Sequence, residues 1–283
     1  MSKRKAFFVG FALTLIVLLP LYAGVFLWQV SRPTDSAADT PAYRIPIASP
    51  GEGDCKTMLI ISRSGENTHF VLMGADALNN RFFLSSLPAE TVVLSDGKAR
   101  TLAQALDHAG PAYAANALAQ TLNITIDHYL SGKASTFAAM AENLGSAEVW
   151  VPKEVTATSE EGYEVYHRAA GRSILNAKEG MNLLYYGSFS PEERLTLTNA
   201  LYGGLLGGHL DMLAATLPDQ YRKHATALVS DLSAEDIYRY EDIFGFLGRL
   251  APDVCLQSMP GEWQGERYEL SQKSLDLAAQ WLS

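Results

Sequence analysis

The sequence predicts an α/β domain carried behind an N-terminal membrane anchor, and three observations predict it. From Lys56 onward, short apolar runs alternate with longer amphipathic stretches, the pattern of interleaved strands and helices. Ala6 to Val30 is apolar except for Thr14, Pro20 and Gln29. Between these parts, Ser31 to Asp54 carries Pro33, Pro41, Pro46 and Pro50 among Ser, Thr, Ala, Asp and Gly. It has no sustained periodicity, which is linker composition.

The apolar run is long enough to span a bilayer, which needs about 20 residues, and exceeds the roughly 7 to 15 of a cleaved signal peptide. Lys3, Arg4 and Lys5 precede it and favour the cytoplasmic side. The expected organisation is a cytoplasmic tail over residues 1–5, an anchor over 6–30, an extended linker over 31–54 and an extracellular domain over 55–283. The 283 residues are 48% hydrophobic and 19% charged, a globular composition, with net charge −9. Because the three leading cations lie inside, the exported part is more acidic still. That excludes general affinity for nucleic acid, which depends on Lys and Arg meeting phosphate. It also supplies no field steering an anionic polymer inward. The two cysteines, Cys55 and Cys255, both fall in the exported part, where an even count permits a disulfide and two buried thiols are the alternative.

Met58 to Ile61 and Phe70 to Met73 read as strands, followed by Phe82 to Leu84 and Thr91 to Leu94, each bounded by Gly, Asn, Ser or Pro. Thr101 to Leu122 is alanine-rich and helical in character, broken at Gly110-Pro111. Leu122 to Leu130 reads as a strand, Phe137 to Gly145 as a helix with a C-terminal glycine, and Ser146 to Val151 as a strand stopped by Pro152. A helix start is expected at Leu175-Asn176. Ser190-Pro191-Glu192-Glu193 is a capping box with proline at the first helical position, and Ser233 to Asp236 is a second start signal. Val254 to Gly261 reads as a late strand and Leu275 to Leu282 as a terminal helix. Gly203-Gly204-Leu205-Leu206-Gly207-Gly208 lacks the Lys-Ser/Thr of a phosphate loop and does not follow a strand. Its i, i+4 glycines suit close helix packing or a loosened surface helix.

Arg81 to Val93 contains Ser86-Leu87-Pro88-Ala89-Glu90-Thr91, which resembles the Ser-Ile-Pro-Arg-Asp-Thr signature loop of the LytR-CpsA-Psr family of cell-envelope phosphotransferases. Leu122 to Leu130, Phe137 to Pro152, Leu175 to Leu183, Val229 to Leu232 and Met259-Pro260-Gly261 resemble further blocks of that family, in its order. The resemblance covers about Met58 to the C-terminus. It implies a single α-β-α domain with a central mixed sheet, following one transmembrane helix. It also implies a polyprenyl-pyrophosphate glycan held with its lipid in an apolar tunnel, its pyrophosphate on arginines and a divalent cation on aspartates.

Phosphoryl transfer needs such charges to neutralise the phosphate oxygens. By the resemblance, the loop arginine is replaced by Ala89, the metal-binding aspartates by Ser64 and Asn67, and three further arginines by Gly187, Phe189 and Leu197. Arg194 survives, and Glu90 keeps a carboxylate in the loop. Glu90 otherwise reads as a turn residue, and Arg194 as a surface partner of Glu192 or Glu193. Asn67 can still offer a carbonyl oxygen but not the charge of a tight hard-cation site. No neighbouring residue replaces the bidentate guanidinium fork. Asp127 and His128 are adjacent on a strand, so they face opposite sides and make no catalytic pair. The remaining histidines show no ligand spacing.

The resemblance therefore implies a membrane-anchored, catalytically degenerate member of cell-envelope biogenesis. Its partners would be a polyprenyl-phosphate lipid or an envelope protein, with no cofactor and no nucleic acid. The alternatives are an active ligase joining lipid-linked glycopolymers to peptidoglycan with Mg2+, and a structural ectodomain with a filled tunnel. The ligase would need Arg63, Arg81, Arg100 and Arg194 to converge.

Overall fold

The computed structural model describes residues 50–65 and 67–282. The tail, anchor and nearly all of the linker expected over residues 1–54 lie outside them. Among the described residues, no helix is long and apolar enough to cross a membrane.

The first two apolar runs lie in β1 (Cys55–Ser64) and β2 (Asn67–Asp76), an antiparallel pair in which Cys55 faces Asp76 and Ser64 faces Asn67. Both strands are covered on both faces, which is why they read as continuous apolar runs instead of alternating ones. β3 (Arg81–Leu87) adds antiparallel to β2, while β6 (His128–Lys133) lies parallel to β1. β12 (Asp253–Leu256) runs parallel to β3, and β11 (Leu228–Ser230) closes the other edge antiparallel to β6. The described sheet is therefore mixed, in the order β11-β6-β1-β2-β3-β12.

Successive side chains on a strand point to opposite faces, and the sheet builds two cores from this alternation. Leu59, Ile61, Phe70, Leu72 and Phe83 pack under α1 (Leu102–Leu122) and α7 (Gln272–Leu282). Met58, Ile60, Val71, Met73 and Phe82 pack under α5 (Leu210–His224) and α6 (Ala234–Leu250). The expected α-β-α layering around a mixed sheet is what forms. Beside the second layer, β7 (Ser146–Val151) pairs with β10 (Gly171–Asn176). With α2 (Ala134–Met140), α3 (Ala177–Tyr186) and α4 (Pro191–Tyr202), it makes a third core around Val149, Leu175, Leu183 and Leu197.

Helix starts follow the capping signals. Asn176 with Glu179, Ser190 with Glu193 and Ser233 with Asp236 each form a reciprocal box, and Pro191 opens its helix. The break foreseen in the alanine-rich segment is a kink inside α1: Ala109 leaves helical geometry and Gly110 adopts φ +85 ahead of Pro111. Proline excludes its predecessor from the helical region, and only glycine takes that φ without a steric penalty. Two expected boundaries shift. Leu122 still belongs to α1, and Asn123 caps it in the left-handed region, so β6 begins only at His128. The helix expected over Phe137 to Gly145 begins earlier and ends at Met140.

The glycine run forms a single π-helical turn, Gly203–Gly207. A Cβ on Gly204 would stand 2.6 Å from Ala147 Cβ and 3.1 Å from its Cα, and one on Gly207 would stand 3.3 Å from Phe82. The glycines thus let this turn lie on β7 and β3, so close packing is their role and not a loosened surface helix. Gly204→Val is expected to destabilise the domain by about 1–3 kcal/mol through overpacking against backbone. An unchanged denaturation midpoint in urea would refute this account of the turn.

The Cys55–Cys255 disulfide that the even count permits is not formed, and both thiols are free, the alternative expected. Cys55 sits on β1, and Cys255 pairs with Phe83 across β3–β12. Three inter-strand steps of about 4.8 Å separate their strands, well beyond the roughly 7 Å Cα limit for a bridge. Cys55 Sγ instead donates to Asp76 Oδ1 at 2.8 Å. Burial, then Asp76, pushes its thiol up to about 11.

Candidate functional site

The site begins where the two central strands end. Ser62 faces His69 across β1–β2, and Ser64 faces Asn67 one step nearer the hairpin. Along β1, Met58, Ile60, Ser62 and Ser64 share one face by the two-residue period. With His69 and Met73 of β2, they line a cavity of about 130 Å³ roofed by helices α2 to α6. A water-sized position takes about 10–15 Å³ of such space, so the cavity has room for on the order of ten water-sized groups. Phe137, Leu205, Leu217 and Phe244 are among its walls, and among the described residues its lining contains no Lys, Arg, Asp or Glu. Ser64, Ala134 and Met181 also line a neighbouring open cleft that carries Arg63 and Lys133.

The signature loop is held rigidly at the end of β3. Thr91 donates to Pro88 O through both its backbone N–H, at 3.1 Å, and its hydroxyl, at 2.7 Å. Ala103 N donates to Ala89 O and Tyr268 N to Glu90 O. Buried Asn199, on α4, accepts from Ser86 N at 3.1 Å and so ties the loop to that helix. Glu90 is the turn residue expected. Ala89 packs against the core beneath α1, on the sheet face opposite the cavity.

Arg194 does not pair with Glu192 or Glu193 as expected, since Glu193 pairs with Lys153 at 3.2 Å. Its guanidinium donates to Leu184 O at 2.8 Å and to Gly187 O at 3.3 Å, closing the C-terminal end of α3 where unpaired carbonyls favour a cation. Burial holds its pKa below the usual arginine value, and the Glu90 carboxylate opposes that shift. Gly187 is the C-cap of α3. The Phe189 ring covers Gly187, with Lys153 Nζ 5.7 Å from the ring centroid. Phe189 and Leu197 are both buried in the third core. Three positions expected to have lost a cation are thus occupied by packing.

His69 is the functional-looking group that sequence reasoning passed over. It is 6% exposed and its Nδ1 lies 3.3 Å from Thr198 Oγ1. Burial, reinforced by the Arg194 charge, lowers its pKa to about 4. The signal available was its place two residues before Val71 on the cavity-facing side of β2. The other arginines do not converge. Arg81 donates to Gln280 O and lies over Trp281, Arg100 donates to Tyr113 Oη at 2.6 Å, and Arg63 lines only the cleft. Asp127 and His128 do face apart. Asp127 accepts from Thr57 N, while His128 lies 3.6 Å from both Asp231 and Asp236. Among the described residues, no three His, Cys, Asp or Glu side chains are placed to hold a metal.

Sheet and cavity together define a three-layer α/β domain with an apolar chamber between the sheet and its helices. The model of the LytR_cpsA_psr family matches residues 54–187 and supports the family resemblance read in the sequence. No curated protein matches the chain by sequence. Among solved structures, a protein from Eubacterium siraeum described as a transcription regulator superposes with TM-score 0.67 at 17% identity, covering 82% of this chain and 92% of that one. A LytR-Csp2A-Psr enzyme from Actinomyces oris gives TM-score 0.61 at 19% identity, covering 80% and 89%. A third structure, TagT bound to LIIa-WTA, gives 0.59 at 15% identity, covering 81% and 89%. These likenesses are of fold.

Proposed function

We propose that this protein is a membrane-anchored, extracytoplasmic member of the family that serves cell-envelope biogenesis by binding instead of catalysis. Its occupant on this reading is the lipid part of a polyprenyl-linked envelope precursor, seated in the apolar cavity. The observation that carries the reading is a preserved cavity beside a dismantled anion site. Ala89 faces the opposite core, Gly187, Phe189 and Leu197 serve packing, and Arg194 gives its guanidinium to two backbone carbonyls. Ser64 and Asn67 offer only neutral oxygens where the family's carboxylates would hold a cation, so the donor set does not fit magnesium. Removing one preorganised charge stabiliser costs about a hundredfold or more in rate, and here several are gone.

The anchor over residues 6–30, the cytoplasmic N-terminus and the extracellular placement of the domain belong to the same proposal, supported by the apolar run and its leading cations. In a test with the full chain, magnesium, a labelled polyprenyl-pyrophosphate glycan and peptidoglycan, transfer is expected to stay at the no-protein background. Magnesium-dependent transfer above that background would overturn the reading in favour of an active ligase.

A further inference from the structure

A second cleft opens on the sheet face opposite the chamber, at the end where β1 begins and β2 finishes. Its floor is Cys55, Thr57, Gly74 and Asp76, which share that face by the two-residue period of their strands. One wall is the C-terminal half of α1, and the other is the end of α7, where Trp281 and Leu282 stand. The helix lies low on this floor, since a Cβ on Gly74 would strike Leu282. The cleft measures about 770 Å³, within the roughly 300–1,000 Å³ of small-molecule sites.

The α1 wall is a stripe of carboxamides. Asn116, Gln120 and the capping residue Asn123 follow at i, i+4 and i+7, one face of the helix, with Ala119 between them. All three are exposed, and among the described residues none of their side-chain amides has a hydrogen-bond partner. Pro111 to Leu122 carries no charged residue, although the solvent face of a helix ordinarily does. The opposite face, with Ala115, Leu118 and Leu122, is buried in the first core.

The charges in the cleft answer one another. Lys56 Nζ lies 3.3 Å from Asp127 Oδ1, whose second oxygen accepts from Thr57 N, and Asp76 accepts from Cys55 Sγ and from Asn79. An anion would meet one cation, already paired, between two carboxylates, and would give up hydration without a free countercharge. An apolar ligand would desolvate the carboxamides without replacing their hydrogen bonds to water. A hydroxyl both donates and accepts, as a carboxamide does, and the two carboxylates keep acceptor capacity for further donors.

We infer that this cleft binds a neutral saccharide, its hydroxyls on Asn116, Gln120 and Asn123 and its C–H faces against Trp281 and Leu282. Trp281 is held in place by Phe83, 6.3 Å away between ring centroids, and by Arg81, 5.8 Å from its ring. The site lies apart from the chamber and does not rest on the lipid reading.

The test titrates the full chain in nanodiscs with the neutral disaccharides cellobiose, maltose and N,N′-diacetylchitobiose, and with the anionic hyaluronan disaccharide, read by saturation-transfer NMR and calorimetry. At least one neutral disaccharide is expected to bind saturably, and at least about fivefold more tightly than the anionic one. Asn116→Ala and Gln120→Ala lie on an exposed helix face and should keep the melting temperature. Each should weaken that binding about fivefold, the loss of one neutral hydrogen bond. No saturable binding of any neutral disaccharide overturns the inference. So does equal or tighter binding of the hyaluronan disaccharide, or binding indifferent to both substitutions. None of these outcomes touches the reading of the chamber as a lipid site.

Discussion

Lowering the pH from 7 toward 4 is expected to cost this domain on the order of 3 kcal/mol through His69 alone. The imidazole is buried between β2 and α4, and burial, then Arg194, takes its pKa from 6.5 down to about 4. The unfolded chain accepts the proton near 6.5 and the folded one only near 4, so the unfolded state binds more protons throughout that window. Stability contributed by the neutral histidine is therefore fully present above about 6.5 and falls by about 1.4 kcal/mol per pH unit as the pH drops through the window. It levels off below the folded value. Asp76 and Asp236 act in the same direction, their carboxyls held below 3.8 by hydrogen bonds to their charged forms. Their window therefore lies below that of His69. Urea denaturation across pH 7.5 to 4.5 should show the slope in the native protein and lose most of it in His69→Gln. Identical slopes in both would show that His69 is not the group responsible.

The second large effect concerns the wall of the cavity. Phe244 is 2% exposed, stacks on Tyr240 at 5.7 Å between ring centroids and meets Phe82 edge-on at 6.4 Å. Phe244→Ala should destabilise the domain by about 3–5 kcal/mol, the transfer free energy of the ring plus the void it leaves. Because Phe244 also lines the chamber, the void joins an existing space instead of closing around itself. Apolar cavities of this kind remain dry and take up apolar ligands. The variant should therefore regain more stability than the native protein on adding a saturating long-chain alcohol, as binding to the folded state alone requires. A small loss of stability, or no gain in the ligand response, would mean that α6 collapses into the space.

Much of the fold was legible because local signals and burial agree in it. The runs Met58 to Ile61 and Phe70 to Met73 are apolar on both faces and lie at the centre of the sheet. Ser190-Pro191 and Ser233 start helices because their side chains accept from backbone groups that any helix start leaves unpaired. β4 (Val92–Ser95) was read at Thr91 to Leu94, but its partner β5 (Lys98–Thr101) and the hairpins β8 (Val155–Thr158) with β9 (Glu164–Arg168) and β13 (Gly261–Gln264) with β14 (Arg267–Leu270) were harder to see. All are short, and several expose one face, so only part of each enters a core and the two-residue alternation has few residues in which to show.

The sequence by itself determined the class of fold and the ordered motifs that resemble the family's. These depend on residue types and nearby spacing. Only the tertiary structure decided that Cys55 and Cys255 lie three strands apart, that Arg194 closes the end of α3, and that the glycine run is a packing device. The pairing of Ser62 with His69 at the neutral end of an apolar chamber belongs with these. It depends on the β1–β2 register and on helices drawn from residues 134–250, and contacts across such separations leave no local pattern along the chain.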